Sequence, residues 1–289
     1  MLATLGDLVE DLVVSVHDPL NIGSDTRAVI GRRRGGSAAN VAATAARLGH
    51  PTRFVGQVGA DPIGGALVAE LAATGVDVSC VRRSGRTGTI AVLVDATGER
   101  TMLTDRGASV ELSDPERRWL DDVATLHVPL YSFAGGEIAA TASTLIRWAH
   151  ARTVAVSIDV SSVALIDELG VEAVRTLVDR LAPDVVFANA AEALALEIDA
   201  SVSGAITIVK RGAASTLIHR PARRSVEVPV PRLDGVLDTT GAGDALAAGY
   251  LTAPWQDDPV GAVDDAHRAA RSHLAQGAGR TVDRDRPPG

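Results

Sequence analysis

Short aliphatic runs alternate along the chain with longer segments in which Ala and Leu recur at helical spacing. This alternation is typical of βαβ units, whose buried parallel strands read as short apolar runs. Helices are predicted at 37–48, ended by Gly49, and at 63–74, capped by Gly75. The pattern therefore predicts an α/β fold with a mostly parallel central sheet. Its core strands are expected at 2–5, 53–58, 125–129, 154–158, 185–188 and 206–209.

Two stretches break this alternation. Residues 10–16 and 87–103 alternate apolar and polar positions with a period of two, and Asp95-Ala96-Thr97-Gly98 is a hairpin-turn motif within the second stretch. They predict a small antiparallel sheet attached to the α/β body, with strands at about 10–34 and 87–105. Such a sheet could cover a cleft or decorate an edge, and the pattern favours neither. We expect one domain over 1–289, with a disordered polar tail after Gly279.

Composition narrows the class of protein. Aromatic residues make up only 3% of the 289 residues, so the core must be built mainly from Ala, Val and Leu. The net charge of −8 argues against a nucleic-acid partner. Cys80 is the only cysteine, which excludes an internal disulfide. Because the N-terminus is acidic and no apolar run is long enough for a membrane span, we expect a cytoplasmic enzyme without a membrane partner.

The strongest chemical signal is the run Asp238-Thr239-Thr240-Gly241-Ala242-Gly243-Asp244, which leads into an apolar helical segment. Small residues at a helix N-terminus let backbone amides and the helix dipole bind an anion, above all phosphate. A carboxylate at that position repels an anion, so Asp244 needs another role. It could accept the proton of an attacking hydroxyl. It could also be a simple N-terminal helix cap, and the spacing does not choose between the two.

A second signal is Gly35-Gly36-Ser37-Ala38-Ala39-Asn40 at the start of the first predicted helix. Paired glycines allow a ligand to approach the backbone, and Asn40 could bond to a hydroxyl-rich ligand. The same glycines could form only a tight turn. A P-loop is absent because Lys210 is the only lysine, and a Rossmann fingerprint would need Gly in place of Leu246. The histidines lack zinc-site spacing.

The two motifs, in this order and about 200 residues apart, resemble the two signatures of the ribokinase/PfkB family of sugar kinases. The resemblance covers most of the chain. It implies a three-layer ribokinase-like sandwich with a small β-sheet lid. It also implies transfer of the γ-phosphate of ATP to an alcohol of a sugar-like substrate, with Mg²⁺ and K⁺, in a homodimer. Further segments that resemble the family are 6–11, 56–64, 189–192 and 209–213.

The resemblance assigns roles to particular residues. Asp244 would be the catalytic base, and Glu192 would act on Mg²⁺ through water. Asp238 and Thr240 would bind K⁺. The residues assigned to catalysis are Asp244, Gly241, Ala242 and Gly243; to the acceptor, Asp11, Gly35, Gly36 and Asn40; to the nucleotide, Asn189, Lys210 and Gly212; and to metal ions, Glu192, Asp238 and Thr240.

The sequence also departs from the family. Many relatives carry Asp-Pro-Asn where this chain has Asp159-Val160-Ser161, and the segment 255–259 is hard to align, so contacts to adenine stay unassigned. Lys210 fits a strand end better than a catalytic role. Arg106 could meet an anionic group of the substrate, but a surface salt bridge is the preferred interpretation.

The acceptor itself is not identified, and three alternatives stay open. A nucleoside kinase of the adenosine or pseudouridine type is disfavoured by the scarcity of aromatic residues. A catalytically silent sensor of a sugar or nucleotide is disfavoured by the intact Asp244 and Glu192. A nucleotide-binding oxidoreductase is disfavoured by the failed fingerprint. Aromatic residues that could stack on a base are Trp119, Tyr131 and Phe133.

Overall fold

The computed structural model describes residues 1–16, 18–233 and 238–278. Strands and helices alternate through most of this length. In chain order the strands are β1 (Leu2–Leu5), β2 (Val9–Val16), β3 (Ala28–Gly35), β4 (Thr52–Val58), β5 (Asp77–Arg83), β6 (Thr87–Val94), β7 (Arg100–Gly107), β8 (Thr125–Pro129), β9 (Ala155–Asp159), β10 (Val185–Asn189), β11 (Ile206–Lys210), β12 (Ser215–His219) and β13 (Val226–Pro229). The helices are α1 (Ser37–Arg47), α2 (Pro62–Ala72), α3 (Glu137–Ala151), α4 (Val163–Leu169), α5 (Val171–Leu181), α6 (Ala190–Ala195), α7 (Ala242–Thr252) and α8 (Ala262–Ala278).

A nine-stranded sheet in the order β13-β12-β11-β10-β9-β8-β1-β4-β5 forms the centre of the molecule. The strands from β5 through β11 in this order all run parallel, and β12 and β13 add an antiparallel edge. Because parallel strands end at the same edge of the sheet, residues that follow them in sequence are brought together. This edge carries the candidate site.

Helices cover both faces of the sheet, because alternate residues of each strand point to opposite faces. Val186 on β10 packs in a cluster with residues of α3, α4 and α5. Its neighbour Phe187 packs in a different cluster with residues of α7 and α8. The rings of Phe187 and Tyr250 on α7 pack edge to face, with 5.6 Å between their centroids. The core is mostly aliphatic, as the composition requires. The predicted three-layer α/β fold is confirmed.

The two stretches of period-two patterning form a second sheet, the lid sheet, in the order β3-β2-β6-β7. Both outer pairs are antiparallel, as predicted, whereas the central pair β2–β6 is parallel. Asp95 shapes the predicted hairpin turn by accepting the amides of Thr97 at 2.8 Å and Glu99 at 3.0 Å. Asp61, the N-cap of α2, accepts the Thr87 amide at 2.8 Å and so fixes the base of the lid sheet to the body.

Several element boundaries differ from expectation. Helix α2 ends at Ala72 with Ala73 as its C-cap, and Gly75 lies in the following turn with φ +94°. Strand β5 was not predicted, because polar residues interrupt its apolar pattern, and the edge strands β12 and β13 were also missed. The predicted tail after Gly279 lies outside the described residues, and the single-domain assignment over 1–289 stays a prediction. Among the described residues, no helix combines the length and apolar character of a membrane span.

Candidate active site

The candidate site lies at the carboxyl edge of the central sheet. Asp159 ends β9, Asn189 ends β10 and Lys210 ends β11. The first turn of α7 faces them, since Gly243 lies so close to Lys210 that an added Cβ would be 3.4 Å from the Lys210 Nζ. The fold therefore brings residues from four separate segments to one place, as doubly wound sheets generally do.

Asp244 connects the two sequence motifs. Its Oδ1 accepts a hydrogen bond from the Ser37 hydroxyl at 2.7 Å, and its Oδ2 accepts one from the Asn40 side-chain amide at 2.9 Å. Burial raises the pKa of Asp244 to about 6, although these two hydrogen bonds act in the opposite direction; the nearby charge of Asp159 adds to the increase. A carboxylate with this pKa is ionised at neutral pH and still a competent proton acceptor. A simple capping role does not account for both partners.

Ser37 was not assigned a role from the sequence, and the structure shows that it belongs to the site. The signal was its position in the run Gly35–Asn40, one turn before Asn40 on α1. Asn40 was assigned to the acceptor, but in this structure its amide is bonded to Asp244. Helix α1 therefore orients the carboxylate through Ser37 and Asn40.

The paired glycines of the second motif are required by the protein's own packing. A Cβ on Gly35 would lie 2.1 Å from Asp11 Oδ1, and a Cβ on Gly36 would lie 2.0 Å from the backbone oxygen of Asp7. Gly36 also has φ +100°, which favours glycine. Burial raises the pKa of Asp11 to about 6, while the charges of Arg33 and Arg34 counteract this increase. The contact with Gly35 places the Asp11 carboxylate next to the turn that begins α1.

The predicted anion site is the N-terminus of α7. Gly241 precedes the helix with φ +76°, and the first amides of a helix have no acceptor within it. Of these, the Ala242 amide donates to the backbone oxygen of Thr239 at 3.1 Å. His273 on α8 donates through Nε2 to the backbone oxygen of Thr240 at 2.7 Å. This hydrogen bond fixes the loop that precedes α7 to α8. The sequence had not indicated this role for His273.

Asp238 and Thr240, predicted to bind K⁺, are engaged by arginines of the lid sheet. Asp238 Oδ1 accepts from Arg100 Nη2 at 2.6 Å, and Asp238 Oδ2 accepts from Arg33 Nη1 at 3.2 Å. Arg100 also donates to the Thr240 hydroxyl. Hydrogen bonds from Thr240 and Arg100 outweigh burial and hold the pKa of Asp238 far below its usual range. Potassium binding at this position stays a prediction.

The ends of β9 to β11 form a cluster of buried charges. Lys210 Nζ donates to Asp159 Oδ2 at 2.7 Å, and the two side chains are only 14% and 6% exposed. Burial lowers the pKa of Lys210, but the charge and hydrogen bond of Asp159 together with the charges of Glu192 and Asp244 outweigh burial, so the pKa is raised overall. Glu192 is also buried and bonds to Asn189 in a capping box at the start of α6. Burial, followed by the charge of Asp159, raises the pKa of Glu192 to about 7.

Three further residues singled out from the sequence are Gly212, Arg106 and Trp119, and their surroundings differ. Gly212 lies in the turn between β11 and β12 with φ +62°, and a Cβ there would touch nothing within 4 Å. Arg106 forms a bidentate ion pair with Asp7 at 2.7 and 2.8 Å, and both side chains are largely buried, so the surface salt bridge was a wrong prediction. Trp119 is fully buried and cannot stack on a ligand. No group of three or more His, Cys, Asp or Glu residues within the described ranges could hold a metal ion by itself.

A carboxylate with a raised pKa in the first turn of a helix, next to backbone amides that an anion could engage, is the arrangement that phosphoryl transfer requires. The model of the pfkB family of carbohydrate kinases matches residues 1–277. The chain belongs to this family, which confirms the predicted resemblance, fold and enzyme class.

Individual relatives agree with this assignment. The ATP-dependent ribose-1-phosphate kinase of Halopiger xanaduensis is 34% identical over 269 residues, which cover 88% of this chain and 83% of that protein. A fructokinase of Vibrio alginolyticus is 28% identical over 246 residues, or 78% and 80% of the two chains. The structure of a probable sugar kinase from Rhizobium etli CFN 42 matches with a TM-score of 0.83 at 25% identity, covering 96% of this chain and 98% of that one.

Proposed function

We propose that this protein transfers the γ-phosphoryl group of ATP to an alcohol of a sugar or sugar-like acceptor, with Asp244 as the base. The observation that carries the proposal is the position of Asp244. It lies in the first turn of α7, its pKa is about 6, and Ser37 and Asn40 of the acceptor motif orient it. The relatives named above act on ATP and ribose 1-phosphate or on fructose, as their names state.

The reaction balances with the residues of this chain. The acceptor hydroxyl gives its proton to Asp244 as its oxygen bonds to the γ-phosphorus, and the bond to the bridging oxygen breaks to release ADP. Phosphoryl transfer depends on positioning and on charge stabilisation. The backbone at Gly241, Ala242 and Gly243 supplies amides for the phosphoryl oxygens, provided that the Ala242 amide turns from Thr239. The acceptor hydroxyl replaces one of the donors that now bond to Asp244.

Mg²⁺ would neutralise the phosphates of ATP when bound. The residues present fit it, because Glu192 is a buried carboxylate with a raised pKa that lies beside Asp159. Mg²⁺ keeps several water ligands and binds through few carboxylates, so it does not need a dedicated cluster of protein ligands. Glu192 would hold one of these waters, and Asn189 would fix the Glu192 side chain. Lys210 and Gly212 are proposed to border the nucleotide.

A cavity of about 510 Å³ is our candidate site for the adenine base. It lies between residues 231–233 and the face of α8 that includes His267 and Ala275. Helix α8 also contacts the anion-binding loop through His273, so a nucleotide in the cavity could reach α7 with its phosphates. Its volume lies in the range typical of small-molecule sites.

The lid sheet supports a proposed homodimer. It exposes Val29, Ile30, Met102 and Leu103 to about half of their surface or more. Exposed apolar side chains in one sheet are typical of an interaction surface. Strand β3 is also an edge strand, which can pair with another chain.

The decisive experiment is acceptor-dependent ADP release with Mg-ATP and K⁺. The acceptors would be ribose, ribose 1-phosphate, fructose, 2-keto-3-deoxygluconate, inositol, adenosine and pseudouridine, with Asp244→Asn as the matched variant. We expect turnover on at least one acceptor and a loss of about 10²–10⁴-fold in the variant. Equal turnover by the variant would remove Asp244 as the base. ATP binding without turnover on any acceptor would favour the sensor alternative.

A further inference from the structure

A cavity of about 650 Å³ lies where the lid sheet joins the body. It is bordered by β4, by the end of β5 and the segment that leads into β6, by the short 3₁₀ turn after β7, and by the start of α3. The residues that line it include Gln57, Arg83, Ser84, Glu111, Ser113 and Glu137. None of the residues assigned to catalysis, the acceptor, the nucleotide or metal ions is among its lining residues. The cavity is therefore a second candidate site.

Gln57 is the most buried of the residues that line this cavity. It is only 5% exposed, and its backbone oxygen accepts a hydrogen bond from the Ser109 hydroxyl at 3.3 Å. Its side-chain amide, in contrast, has no hydrogen-bond partner among the described residues. A side-chain amide can both donate and accept hydrogen bonds. Because this amide is withdrawn from bulk water and lacks a protein partner, it favours a polar ligand in the cavity.

The rim of the cavity carries charges of both signs. Arg83, Glu111 and Glu137 are exposed, and none of the three forms an ion pair with another described residue. The neighbouring Arg82 differs, because its guanidinium pairs with Glu116 at 3.3 Å. A guanidinium and two carboxylates around one cavity match a small molecule that carries one anionic and one cationic group.

The cavity also lies between the two segments that connect the β6–β7 hairpin to the body. Ser84 and Gly85 lead into β6, and Glu111 follows β7. The two segments are in contact, since the Ala108 amide donates to the backbone oxygen of Arg86 at 2.7 Å and a Cβ on Gly85 would lie 2.7 Å from Glu111 Oε2. The hairpin in turn contacts the anion-binding loop of the candidate active site. A molecule bound between the two segments would therefore influence the position of the lid sheet.

We propose that this cavity binds a free α-amino acid, whose carboxylate pairs with Arg83 and whose ammonium group pairs with Glu111 and Glu137. The Gln57 amide hydrogen-bonds to the same molecule. Binding bridges the two segments that connect the β6–β7 hairpin to the body, so that the amino acid acts on the lid sheet. The inference goes beyond the proposed phosphoryl transfer, since binding requires neither ATP nor an acceptor. Charged pairs at an open rim are weak, so we expect a dissociation constant of about 0.1–1 mM.

The test measures binding of the common L-amino acids to the full chain, by saturation-transfer NMR at about 10 mM and then by titration calorimetry. The amino acid that binds best is compared with its carboxamide, which lacks the anionic group, and with its N-acetyl derivative, which lacks the cationic group. Arg83→Gln and Glu111→Gln each remove one charge from the rim, and Gln57→Met removes the amide but keeps the length of the side chain. Arg180→Gln is the matched control, because Arg180 is also exposed but lies on α5, outside the cavity.

We expect at least one amino acid to bind, and both of its derivatives to bind at least about tenfold more weakly. Arg83→Gln and Glu111→Gln should each raise the dissociation constant by about 5- to 20-fold, and Gln57→Met by about 3- to 10-fold. Arg180→Gln should stay within about twofold of wild type. Amide hydrogen exchange in the segments 84–86 and 107–111 should become slower when the amino acid is saturating.

Three results would overturn the inference. The first is the absence of binding by every amino acid. The second is equally tight binding by a derivative with a single charge, which would make the cavity a site for a simple anion or cation. The third is binding that the two rim variants leave unchanged, which would place the amino acid elsewhere. Unchanged hydrogen exchange in the two segments at saturation would reject the effect on the lid sheet, and none of these measurements depends on kinase turnover.

Discussion

Ser37 and Asp244 are separated by 207 residues and share a hydrogen bond of 2.7 Å. Ser37 begins α1, directly after the paired glycines, and Asp244 lies in the first turn of α7. Helix α1 therefore orients the proposed base, and its two hydrogen bonds lower the pKa of Asp244 against the effect of burial. Changes on α1 should therefore alter the chemistry of Asp244 without touching α7.

The first prediction concerns pH. Because the pKa of Asp244 is about 6 in the free enzyme, kcat/KM should fall below pH 6 as the carboxylate takes up a proton. Asn40→Leu removes a donor that stabilises the ionised form, so it should move this acidic limb to higher pH. The measurement is kcat/KM for one acceptor between pH 5 and 9. If the pH at which kcat/KM falls is the same in the variant and the wild type, Asn40 does not influence the group that titrates.

The second prediction is that Asp244→Asn stabilises the fold at neutral pH. The folded-state pKa of Asp244 is raised to about 6 from the ordinary aspartate value of 3.8, so the folded protein loses stability as the pH rises through 6 and keeps it below about pH 4. The variant should have a free energy of unfolding about 1–3 kcal/mol higher at pH 8. Urea denaturation at pH 8 and at pH 4.5 would show whether the difference shrinks on acidification. A variant less stable at pH 8 would contradict this.

Local patterns predicted the central sheet and the second, smaller sheet, whereas the family resemblance supplied most of the residues assigned to the site and missed Ser37 and His273. The two motifs carry their own turn and helix chemistry, so Gly36 and Asp244 could be placed on elements before their contacts were known. Long-range contacts could not be inferred in this way. Nothing near Arg100 in the sequence shows that it reaches Asp238, and Arg106 gives no local sign of its buried pairing with Asp7.

The third prediction concerns monovalent cations. Arg100 donates to Asp238 and Thr240, the residues that the family resemblance assigns to K⁺. A guanidinium and a potassium ion would compete for the same carboxylate. Arg100→Gln should therefore increase the stimulation of kcat by KCl over choline chloride at equal ionic strength, by about two- to fivefold.

The control for this prediction is Arg86→Gln. Arg86 forms an exposed ion pair with Asp105 near the lid sheet, and both side chains are more than half exposed. Its removal should leave the response to KCl unchanged. Equal stimulation in wild type and Arg100→Gln would show that Arg100 does not compete with a cation at Asp238.

The fourth prediction concerns the buried pair of Lys210 and Asp159. Their N–O distance of 2.7 Å in a buried environment means that removal of Lys210 leaves Asp159 as an unpaired charge. Lys210→Met should lower the free energy of unfolding by about 3–5 kcal/mol. The double variant Lys210→Met/Asp159→Asn removes the charge as well and should regain most of that loss. Urea denaturation of the three proteins at pH 7.5 measures the coupling, and a double variant no more stable than Lys210→Met would show that packing of the lysine stem, rather than its charge, supports the site.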